Sequence, residues 1–272
     1  MLPDYKKLLE VAVSGATEAG KLIRDLRHEA TAENKDDGSI VTNADKAAET
    51  LLRDHFEQYT PDIPVWGEEF GRTGKGADFE WIVDPIDGTT WYAAGSPIYG
   101  TLIGLAYLGE PVVGVIAMPA TQELVSAAKG EGCRYTMPTL QKGQTIQVAQ
   151  HKRPLIETKI SSSGLHRSDI SLEKGPKPYA LSRLPESTAL FRLFGDCIQH
   201  ALVARGKIDG AIDTAMHPWD SAAIMPCITE AGGVVSGIDG QVDNILECGS
   251  LVSACHQGLL EEMVDVLKPV ST

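Results

Sequence analysis

Apolar residues recur at helical spacing from the start of the chain: Leu8, Val11, Ala12, Gly15, Ala19, Leu22, Ile23 and Leu26 predict an amphipathic helix from about Tyr5 to His28. Thr42 followed by Asp45 has the form of a capping box that opens a second helix to about Tyr59. The pattern then turns strand-like, at Ile98 to Leu108 and Pro111 to Met118, with Gly109-Glu110 as the turn of an antiparallel hairpin. A polar stretch from Thr139 to Arg153 follows. Beyond it the chain alternates: a strand at Ile160 to Ser163, a helix at Ser187 to Arg205, a strand at Ile208 to Asp213, and a helix at Ser221 to Glu230 closed by Gly232-Gly233. These elements predict a layered α+β chain with an N-terminal part, residues 1–150, and a C-terminal part, residues 151–272, forming one integrated unit.

Candidate chemistry lies between the second helix and the hairpin. Trp81 to Tyr92 reads W-I-V-D-P-I-D-G-T-T-W-Y, an apolar run that ends in Asp84 and Asp87. Two carboxylates so close repel unless a cation lies between them, and oxygen ligands without Cys or His favour Mg²⁺ over zinc or copper. Pro85 fixes φ and brings no N–H, which leaves the Ile86 carbonyl free to face the same ion. If a helix starts here, Gly88, Thr89 and Thr90 offer N–H groups and hydroxyls to a phosphate. An ordinary Asp-Gly turn closing a strand is the alternative. Further acids stand at Trp66-Gly67-Glu68-Glu69, after an apolar strand, and at Pro218-Trp219-Asp220, where Asp220 also reads as a helix N-cap.

D-P-I-D-G-T-T, G-E-E and W-D-x-A-A with a closing G-G, taken together, resemble the signature of the inositol monophosphatase superfamily. Lys35-Asp36-Asp37-Gly38-Ser39-Ile40-Val41-Thr42-Asn43-Ala44-Asp45 is similar to the K-x-D-x-S-x-V-T-x-x-D loop of the same family, and the likeness runs from the first helix to about Gly240. The resemblance implies a layered α-β-α-β-α sandwich of the inositol monophosphatase and fructose bisphosphatase type. It also implies a lithium-sensitive, Mg²⁺-dependent phosphomonoesterase with two or three ions, commonly a homodimer.

Composition narrows the partners. A formal net charge of −13 argues against nucleic acid or an anionic membrane as partner; a small phosphate ester is the substrate that the resemblance implies. No apolar run reaches the roughly 18 residues of a membrane span, and M-L-P-D-Y-K-K lacks a signal-peptide core, so a cytoplasmic chain is expected. Cys133, Cys197, Cys227, Cys248 and Cys255 form no C-x-x-C pair and read as reduced and mostly buried. Gly71-Arg72-Thr73-Gly74-Lys75-Gly76 lacks the spacing of a phosphate loop, and the histidines show no metal spacing, with His217 read as a rim residue.

By resemblance, Glu68, Asp84 and the Ile86 carbonyl hold the first ion, Asp84, Asp87 and Asp220 hold the second, and a third touches Glu68. Asp45 accepts a hydrogen bond from the Thr89 hydroxyl to activate a water, with Glu68 beside it, and Glu69 supports from behind. Asp45 as a mere helix cap is compatible with that role.

Arg192-Leu193-Phe194-Gly195-Asp196-Cys197 resembles the R-Y-G-G-D-C stretch of the histidinol-phosphate phosphatase branch, where inositol phosphatases carry a small-residue G-T-A. Asp196 would favour an amine or imidazolium, and Asp213 stands where inositol enzymes use Glu. Thr90 and Phe194 depart from the histidinol pattern and keep inositol-1-phosphate as the alternative, with nucleotide bisphosphates and fructose bisphosphate behind it. A member that binds Mg²⁺ but acts through protein contacts with transcription machinery is the reading of another class.

Overall fold

The computed structural model describes residues 4–35, 38–74, 76–140 and 143–269. The expectations that fall on Met1–Pro3, Asp36, Asp37, Gln141, Lys142 and Lys75 lie outside the described residues.

Helix α1 (Tyr5–Leu26) opens where the Asp4 side chain accepts from the Lys7 amide, and two short strands, β1 (Ala32–Asn34) and β2 (Ile40–Thr42), lead into α2 (Asn43–Tyr59). Thr42 and Asp45 form the expected capping box at that start. Next come β3 (Val65–Gly67), β4 (Gly71–Arg72), β5 (Phe79–Asp87), a short α3 (Thr89–Ala93), β6 (Gly100–Tyr107), β7 (Glu110–Met118), β8 (Glu123–Ala128), β9 (Gly132–Thr136) and β10 (Gln144–Ile146). They build an eight-stranded sheet in the order β10-β9-β8-β7-β6-β5-β3-β4, antiparallel except for β3 against β5. The β6–β7 turn is Leu108-Gly109, both in left-handed backbone, so Glu110 is the first paired residue of β7 and not part of the turn as expected.

The second sheet runs β12-β11-β13-β15-β14. Its elements are β11 (Lys159–Ser162), α4 (Leu184–Ser187), β12 (Leu190–Leu193), α5 (Asp196–Ala204), β13 (Gly210–Asp213), α6 (Pro218–Ser221), α7 (Ile224–Glu230), β14 (Val234–Ser236), β15 (Leu251–Ala254) and α8 (Gln257–Leu267).

Strand alternation decides the layers. In β6, Ile103 and Leu105 pack with Ala12, Ala16 and Phe56 of α1 and α2, whereas Leu102 faces the opposite way, toward Ala201 of α5 and Ile224 of α7. In the second sheet Ser253 meets His200 of α5 while Gly210 lies under Met263 of α8. The order through the molecule is therefore helix, sheet, helix, sheet, helix. Gly104 and Gly114, paired across β6 and β7, let the chain at Ala222 and Ala223 approach closely: a Cβ on Gly104 would lie 2.6 Å from that of Ala222. Large apolar residues there would push α6 and α7 off the sheet.

Two expected helices are corrected. Residues Leu190–Leu193 are not helical but pair in parallel with β11, and the helix begins only at Asp196, after Gly195 at φ 76°. Alternating backbone partners on β11 outweigh the helical spacing of the leucines. The helix expected from Ser221 to Glu230 is two pieces, Pro218–Ser221 and Ile224–Glu230. Asp220 is not its N-cap: His217 holds that place, and the Asp220 carboxylate accepts the His217 amide at 2.6 Å. All five cysteines are free thiols, four of them buried.

Candidate active site

Asp84 and Asp87 are three apart, which on a regular strand would put them on opposite faces. The register of β5 against β6 slips between them: Asp84 pairs with Leu102 and Asp87 with Gly100, so Pro85 and Ile86 share Thr101. This bulge returns both carboxylates to one side. The Thr101 hydroxyl donates to the Pro85 carbonyl at 2.8 Å and locks it. Pro85 suits the bulge because it has no amide to leave unpaired.

Asp220 arrives from α6, and carboxylate oxygens of Asp84, Asp87 and Asp220 lie within 4.8 Å of one another. Among the described residues this is the one such cluster of potential metal ligands. Burial raises all three carboxyls, and mutual repulsion adds to it. Asp84 lies well above its ordinary range, with the Glu68, Asp87 and Asp220 charges contributing, while Asp87 and Asp220 are each pushed up to about 7. Oδ1 of Asp84 is buried with no hydrogen-bond partner. Three crowded oxygen donors, one of them orphaned in a dry place, fit a hard divalent cation.

The structure does not gather Glu68 into that trio. Its Oε1 and that of Glu69 each lie 2.8 Å from Lys35 Nζ. Burial works against the ammonium, yet the two carboxylates outweigh it and hold Lys35 above its usual pKa. Behind this pair, the wholly buried Glu49 accepts the Glu69 amide at 2.7 Å and the Phe70 amide at 3.1 Å, and is balanced by Arg53. Lys35, Glu49 and Arg53 lie outside the set expected from sequence, because what ties them to the site reaches across 18 to 34 residues: Lys35 to Glu68 and Glu69, Glu49 to the Glu69 and Phe70 amides, and Arg53 to the Gly71 carbonyl.

Gly88 sits at φ 84° and caps α3. The Thr89 hydroxyl is 2.8 Å from the Ile86 carbonyl and 3.1 Å from Asp45 Oδ1; with one proton it serves one of them at a time. Asp45 is fully buried, and its Oδ2 accepts both the amide and the hydroxyl of Thr42. Burial raises its pKa while those three donors pull it back. Cap and Thr89 partner thus coexist on separate oxygens of one carboxylate. Thr90 is exposed.

Of the residues expected to select substrate, two converge. Asp196, the first residue of α5, lies against Gly88, where a Cβ would be 2.8 Å from Asp196 Oδ2. That oxygen is buried and unpartnered, and burial together with the Asp87 and Asp213 charges pushes the carboxyl to about 8. The next amide, of Cys197, donates to Asp87 at 2.7 Å and ties α5 to the acidic cluster. Asp213, at the end of β13, is buried and bonded by His200 and Gln199. Arg192 is not brought in: it is exposed on the edge strand β12 and donates to the neighbouring Phe191 carbonyl. The His217 ring stacks on Trp219 at 4.7 Å, and Arg72 of the glycine-rich segment lies over Trp66.

A profile of the inositol monophosphatase family matches residues 4–268. The chain belongs to this family. It is therefore a phosphomonoesterase of a metal-dependent group acting on small phosphate esters. It is 36% identical to a histidinol-phosphatase of Chlorobaculum parvum over 93% of both chains. It is 30% identical to the Nus factor SuhB of Pasteurella multocida over 96% of both. The solved inositol monophosphatase of Anabaena (Nostoc) sp. PCC 7120 superposes with a TM-score of 0.79 at 25% identity, covering 97% of this chain and 96% of that one. Among the described residues no helix is long and apolar enough to cross a membrane.

Proposed function

We propose that this phosphatase hydrolyses L-histidinol phosphate to L-histidinol and phosphate with Mg²⁺. The observation that carries the substrate is the buried, unpartnered Oδ2 of Asp196 against Gly88, beside the acidic cluster. Burial and neighbouring acids favour the protonated form of this carboxyl until a cation reaches it, and the amine of a phosphorylated amino alcohol supplies one. The similarity to the Chlorobaculum histidinol-phosphatase supports the same choice.

Glu68, Asp84 and the Ile86 carbonyl would hold one ion, and Asp84, Asp87 and Asp220 a second, with Glu68 released from Lys35. Such ions supply a more acidic water, charge neutralisation on the phosphoryl group and a stabilised leaving alkoxide. The protein's part is proton handling and placement. Asp45 keeps one oxygen on Thr42 and takes the Thr89 hydroxyl proton on the other, which frees the Thr89 oxygen to accept from the attacking water. Gly88, Thr89 and Thr90 orient the phosphate, and Asp196 and Asp213 fix the cationic end of the ester.

Thr90 and Phe194 depart from the histidinol pattern and keep inositol-1-phosphate as the second reading. Phosphate release from histidinol phosphate, inositol-1-phosphate, adenosine 3′,5′-bisphosphate and fructose-1,6-bisphosphate, each with and without Mg²⁺, decides among these substrates. No release from any of them would favour a role through protein contacts.

A further inference from the structure

Asp213 is held by a buried polar network that α5 passes across the second sheet. His200 Nε2 and Gln199 Nε2 lie 2.7 and 2.8 Å from the same oxygen, Oδ2 of Asp213. The partner that flanks Gln199 fixes its amide orientation, while the Ser253 hydroxyl beside His200 can either donate or accept. Ser161 donates its hydroxyl to Gln199 Oε1 at 2.6 Å, so the amide NH₂ faces Asp213 and also the Ile212 carbonyl at 3.2 Å. A flipped amide would set oxygen against two acceptors. Ser253 lies 2.7 Å from His200 Nδ1, and an imidazole that accepts there carries its proton on Nε2, toward the carboxylate. Burial pushes His200 down to about 3, so the ring is neutral, and burial pushes the Asp213 carboxyl well up. Gln199, His200 and Ser253 are all fully buried.

Both donors fall on Oδ2, and no described group bonds Oδ1 of Asp213. Asp213 is buried close enough to Asp87, Asp196 and Asp220 for its charge to act on theirs, and the His166 charge acts on it. Next to three acids, a buried carboxylate keeps its charge only where donors face it.

We propose that Gln199 and His200 are positioning residues that select for cationic phosphate esters: together they hold Oδ2 of Asp213, so that its other oxygen is presented to the substrate amine. This rests on the reading of the site as one for a cationic ester. Neither residue touches the substrate.

The test is steady-state kinetics with histidinol phosphate and inositol-1-phosphate for wild type, His200→Phe and Gln199→Leu, each also in an Asp213→Asn background. Removing one donor to a charged oxygen raises KM for histidinol phosphate about tenfold while kcat changes little, leaves the inositol ester unaffected, and has no further effect once Asp213 is Asn. Should His200→Phe fail to fold, Gln199→Leu carries the same comparison with the ring in place. Equal changes on both esters, or an effect that persists in the Asp213→Asn background, would overturn the positioning role. A wild type that prefers the uncharged ester would overturn the cationic-ester reading itself, whatever the variants do.

Discussion

Glu49 accepts the Glu69 amide at 2.7 Å from inside α2, and Gly67 is packed directly against the same carboxylate. The turn that carries Glu68 is thus set by a buried acid that is itself no candidate ligand. A methyl group at Gly67 would run into the Glu49 carboxylate and displace that turn.

Gly67→Ala is therefore expected to lower kcat/KM on the order of 100-fold through misplacement, with a stability loss of roughly 1–3 kcal/mol from overpacking. Kinetics beside a thermal melt separate the two. Near-normal activity would show that the Glu68 turn need not be fixed.

Thr89→Val removes the hydroxyl that lies between Ile86 and Asp45. Loss of a proton acceptor for the attacking water costs roughly 10²–10⁴-fold in kcat, with Mg²⁺ affinity retained, and Thr89→Ser restores most of the rate. Calorimetric Mg²⁺ titration alongside turnover checks it. A parallel loss of metal would assign Thr89 to the ion and not to the proton.

Asp84→Asn should nearly abolish turnover and weaken Mg²⁺ binding while the chain stays folded, since it removes one of the three crowded carboxylates that would hold the metal. Circular dichroism and a Mg²⁺ titration are the readouts. A variant with unchanged Mg²⁺ affinity and near-normal rate would remove Asp84 from the centre of the site.

Metal and pH are linked through the same carboxyls. Asp87 and Asp220 are raised to about 7 from 3.8, so without metal the folded chain holds more protons than the unfolded one between about pH 4 and 7. That stability is present below about pH 4 and is lost as pH rises through 7. In EDTA the melting temperature should fall across this window because of these groups; saturating Mg²⁺ should remove the fall. At about 100 times its dissociation constant one ion adds about 2.7 kcal/mol, and a domain of this size moves roughly 2–4 °C per kcal/mol. Identical pH profiles with and without Mg²⁺ would contradict the ligand set.

The chemistry of the site is legible in the chain where it is local. D-P-I-D-G-T-T carries its strand, its bulge proline and its helix start within ten residues, and Thr42 with Asp45 announces its own cap. The long-range parts are not legible. Nothing in L-F-R-L distinguishes a helix turn from a strand until β11 supplies the partner, and for that reason Arg192 falls outside the site and Asp196 opens a helix instead of lying within one. His200 finds Asp213 only because α5 crosses the sheet beside β13.

The most direct measurement compares kcat/KM for histidinol phosphate and inositol-1-phosphate in wild type and Asp196→Ala. Wild type is expected to prefer histidinol phosphate. The variant should lose about 1.5–3 kcal/mol of transition-state binding for that ester, the range of a charge-assisted hydrogen bond, and lose little or even gain on the inositol ester. Equal losses on both, or a wild type that prefers inositol-1-phosphate, would contradict Asp196 as the seat of a cationic substrate.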